Sequence, residues 1–100
     1  MTTKQNDAIE IIRSNYTFEQ QREIFVEECA EAIKAAQKLK RVSYSENSVS
    51  EVYENFCEEI ADVLIMAEQM KRFVGESKIN MLIDAKLERQ LDRISWEAQE

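Results

Sequence analysis

The chain has 100 residues and a formal net charge of −7 with a pI near 4.7, and it contains no proline, no histidine and one glycine. This length is typical of a single domain, and the acidic balance argues against nucleic-acid binding or binding to an anionic membrane, because phosphates attract basic patches. Scarce turn and strand residues beside abundant Glu, Lys, Ala, Leu, Ile and Gln predict an all-α fold.

The segments and residue types that the sequence lacks also limit where the protein can be located and which metal ligands it can offer. No apolar run approaches the ~18 residues of a membrane span, and the N-terminal segment lacks the apolar stretch of a signal peptide, so we expect a cytoplasmic protein without a membrane partner. Cys29 and Cys57 lie inside helical patterns and are expected to be buried free thiols. Because histidine is absent, any metal ion must be held by oxygen atoms.

Two helices are predicted in the first half of the chain. Residues 5–14 form a short amphipathic helix with Ile9 and Ile12 on one side. Thr17, followed three residues later by Gln20, makes a capping box, so a longer helix is predicted over about 18–41.

Two further helices are predicted in the second half. The Ser- and Asn-containing segment 42–50 is predicted to be a loop, and a third helix follows over about 49–74. Gly75 is the expected end of that helix, because glycine adopts positive φ without steric cost. The fourth helix covers about 77–95, which completes an antiparallel bundle of about four helices in a single domain spanning 1–100.

An internal repeat joins the second and third helices. The segment FVEECAEAIKAA at 25–36 returns in altered form as FCEEIADVLIMA at 56–67, with Glu31 answered by Asp62. On a helical wheel each copy carries an apolar stripe, and we expect the two stripes to face each other across an antiparallel hairpin. The predicted stripes are Phe25, Cys29, Ala32, Ala36 and Leu39, and Phe56, Ile60, Val63, Ala67 and Met70.

The repeat also places acidic residues in matched positions. Glu28 and Glu59 fall inside the apolar sectors of their helices, whereas Glu31 and Asp62 lie at the edges of these sectors. In the folded hairpin Glu28 and Glu59 differ in level by only about 3 Å at 1.5 Å per residue. We therefore expect all four carboxylates to converge on one spot.

Four ionised carboxylates at a partly desolvated spot repel each other, and a hard divalent cation relieves that repulsion. Mg²⁺ prefers oxygen ligands, keeps several waters and is commonly bound by a few carboxylates together with substrate phosphates. The repeat therefore predicts a Mg²⁺ site, with Mn²⁺ as a possible substitute, that awaits a phosphorylated ligand. Acidic pairs at this spacing also arise by chance in an acidic chain, and a purely structural acidic hairpin would gain no stability from magnesium.

These motifs resemble the MazG-like, all-α nucleoside triphosphate pyrophosphohydrolases. Their hallmark is EExxE on one helix and ExxD on the next, here Glu27 to Glu31 and Glu59 to Asp62, and the resemblance covers about residues 18–95. It implies Mg²⁺-dependent hydrolysis of a nucleoside triphosphate to a monophosphate and pyrophosphate. It also implies homodimers or homotetramers, with each active site against a neighbouring subunit, and assigns catalysis and metal binding to Glu28, Glu31, Glu59 and Asp62.

A second family pattern falls on the fourth helix. Family members often carry Lys-x-x-x-Asn-x-x-Arg there, in contact with phosphates, and the matching residues are Lys86, Gln90 and Arg93. Gln90 stands where the family usually has asparagine. The spacing places all three on one helical face, as a cationic clamp on substrate would require. Pairing of Lys86 and Arg93 with acidic neighbours on a solvated face is the alternative.

Two other functions stay open. The first is a non-catalytic acidic helical-bundle protein that mediates protein association and has a divalent-ion site. Lys86 and Arg93 favour the enzyme, because an ion site alone needs no phosphate clamp. The second, within the same superfamily, is a phosphoribosyl-ATP pyrophosphatase, although EEIADVLIMAEQMK resembles the MazG-like branch more closely. The sequence does not indicate the preferred base or sugar.

Overall fold

A computed structural model of the chain describes residues 1–42 and 48–99, and this part of the chain forms four α-helices and no strand. The all-α prediction is therefore confirmed. The helices are α1 Thr3–Ser14, α2 Phe18–Arg41, α3 Ser48–Val74 and α4 Glu76–Gln99. Residues 43–47 of the predicted loop lie outside the described residues.

The helix boundaries follow from local hydrogen bonding. Thr17 caps α2 as predicted: its hydroxyl accepts from the Gln20 amide at 3.2 Å, and the Gln20 side chain accepts from the Thr17 amide at 2.9 Å. An equivalent box joins Thr2 and Gln5 at the start of α1. Because the Thr2 hydroxyl accepts from the Gln5 amide, one of the free amides at the start of the helix, α1 begins two residues before the predicted start.

Gly75 ends α3 as predicted. Its φ is +130°, in the region that side chains disfavour, and its amide donates to the Lys71 carbonyl at 3.0 Å. The Gly75 carbonyl in turn accepts from the Ile79 amide at 3.1 Å, so the next helix starts at once. The fourth helix continues to Gln99, four residues beyond the predicted end.

The chain divides into two compact units, Met1–Met70 and Lys71–Glu100. In the first unit α2 and α3 are antiparallel, because Gln21 near the start of α2 contacts Gln69 late in α3, and Glu28 further along α2 contacts Asp62 earlier in α3. The buried side chains of the first unit among the described residues are Ile9, Gln21, Ala35, Met66 and Gln69.

The most buried positions of the α2/α3 pair lie beside the predicted stripes, and eight of the ten stripe residues are half-buried. Ala35 is buried and Ala36 is exposed, while Met66 is buried and Ile60 is 40% exposed. The inner face of α2 follows the seven-residue spacing Gln21, Glu28, Ala35. The wheel placed Glu28 in the apolar sector but missed Gln21, because it weighted apolar residues alone.

The second unit consists of the last residues of α3 and the whole of α4. No described residue of α4 is buried.

Of the two free cysteines, both in the first unit, Cys29 is half-buried and Cys57 is exposed, so the prediction of two buried thiols is wrong for Cys57. None of the described helices combines the length and the apolar content that a bilayer span requires.

Candidate metal centre

Three of the four predicted acids meet in the first unit. Glu28 of α2 and Glu59 and Asp62 of α3 each place one carboxylate oxygen within 4.8 Å of the others. Glu59 and Asp62 share a face because they are three residues apart on one helix, and Glu28 reaches them from the antiparallel neighbour. Glu28 and Glu59 are half-buried and Asp62 is exposed, so the cluster lies at the edge of the helix pair.

The pKa of Glu28 reflects its surroundings in the cluster. Partial burial is the main cause that raises the pKa of Glu28 above its ordinary value, because it removes water from the ionised form. The negative charge of Asp62, the hydrogen bond that protonated Glu28 shares with Asp62, and the charges of Glu59 and Glu27 raise this pKa further. A cation beside Glu28 would favour its ionised form and oppose these effects.

The spacing of these oxygen atoms fits one divalent ion. Ligand oxygens lie about 2.1 Å from Mg²⁺ and about 2.3–2.6 Å from Ca²⁺, so two oxygens on opposite sides of an ion are about 4–5 Å apart. The three carboxylate oxygens already lie within that separation. All three are hard oxygen donors, which suits Mg²⁺, Mn²⁺ or Ca²⁺ better than the softer metals that favour imidazole or thiolate.

Glu31, the fourth predicted acid, has different surroundings. Its carboxylate lies 3.8 Å from the ammonium of Lys34, one turn further along α2, and both side chains are more than half exposed. The structure therefore brings together three of the four predicted carboxylates and places Glu31 in an ion pair on the same helix.

The predicted substrate clamp belongs to the second unit. Lys86, Gln90 and Arg93 are all exposed on α4. Their spacing gives them a common helical face, and seven residues extend over about 10.5 Å of helix. The three side chains are thus accessible to a ligand from solvent.

A buried amide pair is the feature that the sequence analysis missed. Gln21 and Gln69 are 3% and 1% exposed, and the Gln21 side-chain amide donates to Gln69 Oε1 at 2.7 Å. The signal was present: Gln21 precedes Glu28 by seven residues, and Gln69 follows Asp62 by seven. A seven-residue spacing returns to nearly the same face of a helix.

A cavity of about 370 Å³ lies between α1 and α3. Its lining is mostly apolar, so it suits an apolar group better than a phosphate. It is lined by Met1, Gln5, Ala8, Ile9, Ile12, Ala61, Leu64 and Ile65.

The described residues thus form an all-helical chain in which three carboxylates lie close enough together to hold one metal ion. Comparison with protein-family models, with curated proteins and with solved structures finds no match.

Proposed function

We propose that the chain is a cytoplasmic, Mg²⁺-dependent nucleoside triphosphate pyrophosphohydrolase of the MazG-like type, which adjusts or cleans the nucleotide pool. The observation that supports this most is the meeting of Glu28, Glu59 and Asp62 across an antiparallel helix pair. These are three of the four acids of the EExxE and ExxD motifs on which the resemblance rests.

The acids would hold Mg²⁺, or Mn²⁺ in its place, and Glu31 is proposed as the fourth ligand. Glu31 lies three residues after Glu28 on the same helix, and its present partner, Lys34, is an exposed cation at 3.8 Å. Exposed pairs of this kind contribute only about 0.3–0.5 kcal/mol, so the attraction of a divalent ion exceeds what Glu31 gives up.

The proposed reaction is hydrolysis at the α phosphorus. A water oxygen bonds to that phosphorus, the bond to the oxygen bridging the α and β phosphorus atoms breaks, and pyrophosphate leaves with the bond's electron pair. When bound, the metal supplies charge neutralisation and a more acidic water. A carboxylate of the cluster that is not fully engaged with the metal would accept the proton of the attacking water.

Lys86, Gln90 and Arg93 are proposed to bind the triphosphate. Two cations and an amide on one exposed face of α4 offer donors to phosphate oxygens, and an acidic chain needs such local cations to attract a substrate that is itself negative.

A homodimer or homotetramer is part of the proposal, and exposed surface supports it. The supporting surface is in the second unit, where no described residue of α4 is buried.

The exposed apolar residues of α4 locate the proposed contact between subunits. Ile83, Leu87, Leu91 and Ile94 are between 43% and 67% exposed and recur at helical spacing, so they form one stripe. The stripe lies beside the face that carries the clamp. A neighbouring subunit that covers the stripe would then border the substrate.

The reaction is tested with purified protein and each common ribo- and deoxyribonucleoside triphosphate, with and without Mg²⁺, resolving products by phosphorus NMR. We expect monophosphate and pyrophosphate only with Mg²⁺, and at least 100-fold less product from Glu59→Gln. Glu54→Gln, an exposed acid on the same helix, is the matched control and should keep the wild-type rate.

The proposal is wrong if no triphosphate is hydrolysed by the folded protein. The non-catalytic alternative, an acidic helical protein with a divalent-ion site that mediates protein association, then gains support if Mg²⁺ still raises the melting temperature. That alternative rests on the same three carboxylates.

The oligomer is tested by analytical ultracentrifugation of wild type and of the Leu87→Glu/Leu91→Glu variant. We expect the wild type to be a dimer or tetramer and the variant a monomer, because two charges in an apolar interface are costly to bury. Ile33→Glu, at an exposed position of α2, is the control that should keep the wild-type mass. A monomeric wild type at micromolar concentration would contradict the proposed assembly.

A further inference from the structure

The Gln21–Gln69 pair is the most buried polar contact of the first unit. Gln69 Nε2 donates to Met66 Sδ, a weak acceptor, at 3.6 Å. Gln21 Oε1 is buried and accepts no hydrogen bond within the described chain. The pair is thus only partly satisfied.

Stability alone does not account for this pair. A buried acceptor without a partner costs free energy, and two apolar side chains of similar volume would fill the same space without that cost. Buried polar groups of this kind can instead select one alignment of two helices, as a single asparagine does in coiled coils. The question is then which alignment the pair selects.

The pair and the metal centre belong to one seam. Gln21 contacts Gln69 and Glu28 contacts Asp62, so each step of seven residues forward on α2 matches a step of seven backward on α3. The two contacts are therefore in one register and lie about 10.5 Å apart along the helices. Any slip that separates the amides also separates the acids.

The apolar residues specify this register weakly. Apolar side chains on both helices recur at three- and four-residue spacing, so a slip of seven residues again places apolar stripe against apolar stripe. The repeat adds no further distinction, because it makes the two helices alike. The counterparts of Gln21 and Gln69 in the other copy are Val52 and Lys38, so the amide pair occurs at one end of the seam only.

We propose that Gln21 and Gln69 are positioning residues for the divalent-cation centre, which set the register of α2 against α3 in which Glu28 meets Glu59 and Asp62. A slip of seven residues would leave both amides without their partner and would move Glu28 away from Asp62 by about 10.5 Å. The register part stands on the observed contacts, and the cation part rests on the proposed function.

The test compares Gln21→Leu/Gln69→Leu with wild type in Mn²⁺ binding, by electron paramagnetic resonance of free Mn²⁺, and in thermal unfolding. We expect at least a tenfold weaker Mn²⁺ affinity in the double variant, with a melting temperature equal to or above that of wild type. The single variant Gln21→Leu leaves Gln69 unsatisfied and should melt about 4–8 °C lower. Gln37→Leu, an exposed glutamine on α2, should change neither quantity.

The register itself is measured with nitroxide labels on the two native cysteines, Cys29 of α2 and Cys57 of α3. Labelled chains are diluted with unlabelled protein, so that pulsed dipolar spectroscopy counts distances within one chain. We expect one distance in wild type and a second population in the double variant. Unchanged Mn²⁺ affinity together with a single unchanged distance would overturn the proposal.

Failure of the metal centre is distinguishable from failure of the positioning role. If wild type binds no Mn²⁺, the cation part falls with the proposed function, and the distance distribution of the double variant still decides whether the amides set the register. If wild type binds Mn²⁺ and the double variant binds it equally, the centre stands and the amides do not position it.

Discussion

Residues 25–36 and 56–67 carry acids at matching positions, yet their surroundings in the structure differ. In the second copy Glu59 and Asp62 both belong to the carboxylate cluster. In the first copy Glu28 belongs to it, while Glu31 is paired with Lys34. The second copy therefore contributes two acids to the site, and the first copy contributes one.

The difference lies one turn beyond each motif. Lys34 follows Glu31 by three residues, whereas the counterpart of Lys34 in the second copy is Ile65. An ion pair three residues apart on one helix holds Glu31, and an apolar side chain offers Asp62 no such partner. The exposed ion pair with Lys34 is thus the observed difference between the surroundings of Glu31 and those of Asp62.

The largest expected effect is a difference in hydrolysis rate between variants of Asp62 and of Glu31, the acids at the edges of the two apolar sectors. Asp62→Asn removes a member of the cluster and should lower the hydrolysis rate at least 100-fold, whereas Glu31→Gln should lower it by no more than about tenfold. Initial rates at saturating Mg²⁺ measure both. Equal losses in the two variants would mean that the copies contribute equally once the ion is bound.

A smaller effect is expected in the pH dependence of stability, through Glu28, the acid inside the apolar sector of the first copy. The folded state raises the pKa of Glu28, so it binds this proton more firmly than the unfolded state does. The stability that the proton confers is present below the ordinary glutamate pKa of about 4.3 and is lost as pH rises through the raised value. Glu28→Gln keeps the neutral form at every pH.

The melting temperature of Glu28→Gln should therefore equal that of wild type near pH 4 and exceed it by about 2–4 °C at pH 7, in the absence of divalent ions. Thermal unfolding in a chelating buffer measures this difference across the pH range. Glu54→Gln, exposed on α3, is the control and should show a constant difference. A pH-independent gain in Glu28→Gln would show that burial and repulsion at Glu28 are not its cause.

The smallest expected effect comes from replacing Lys34, the residue that distinguishes the surroundings of the edge acids in the two copies. Lys34→Ile installs the residue of the second copy and frees Glu31, so Mn²⁺ affinity should rise about twofold, in keeping with the ~0.3–0.5 kcal/mol of an exposed pair. Lys38→Gln, which removes the same charge one turn further along α2, is the control for general electrostatics. An equal gain in both variants would assign the effect to net charge instead of to the release of Glu31.

The fold was largely predictable because its signals are local. Capping residues at Thr17 and a glycine at 75 act within one helical turn, so the bounds of α2 and the end of α3 agree with the sequence. The candidate site was predictable in part, since motif spacing on a helix fixes which acids share a face. The convergence of Glu28 on Glu59 and Asp62 agrees with the hairpin that the repeat predicted.

By itself the sequence determined the helical class, the order of the helices and the faces that carry the acids, because each depends on residues within a few positions of one another. Only the tertiary structure decided that Gln21 and Gln69 meet in the core, that Ala35 and not Ala36 is innermost, and that Glu31 lies outside the cluster. These outcomes depend on the register and rotation of α2 against α3, which are set by contacts between residues far apart in the sequence, 48 positions for Gln21 and Gln69.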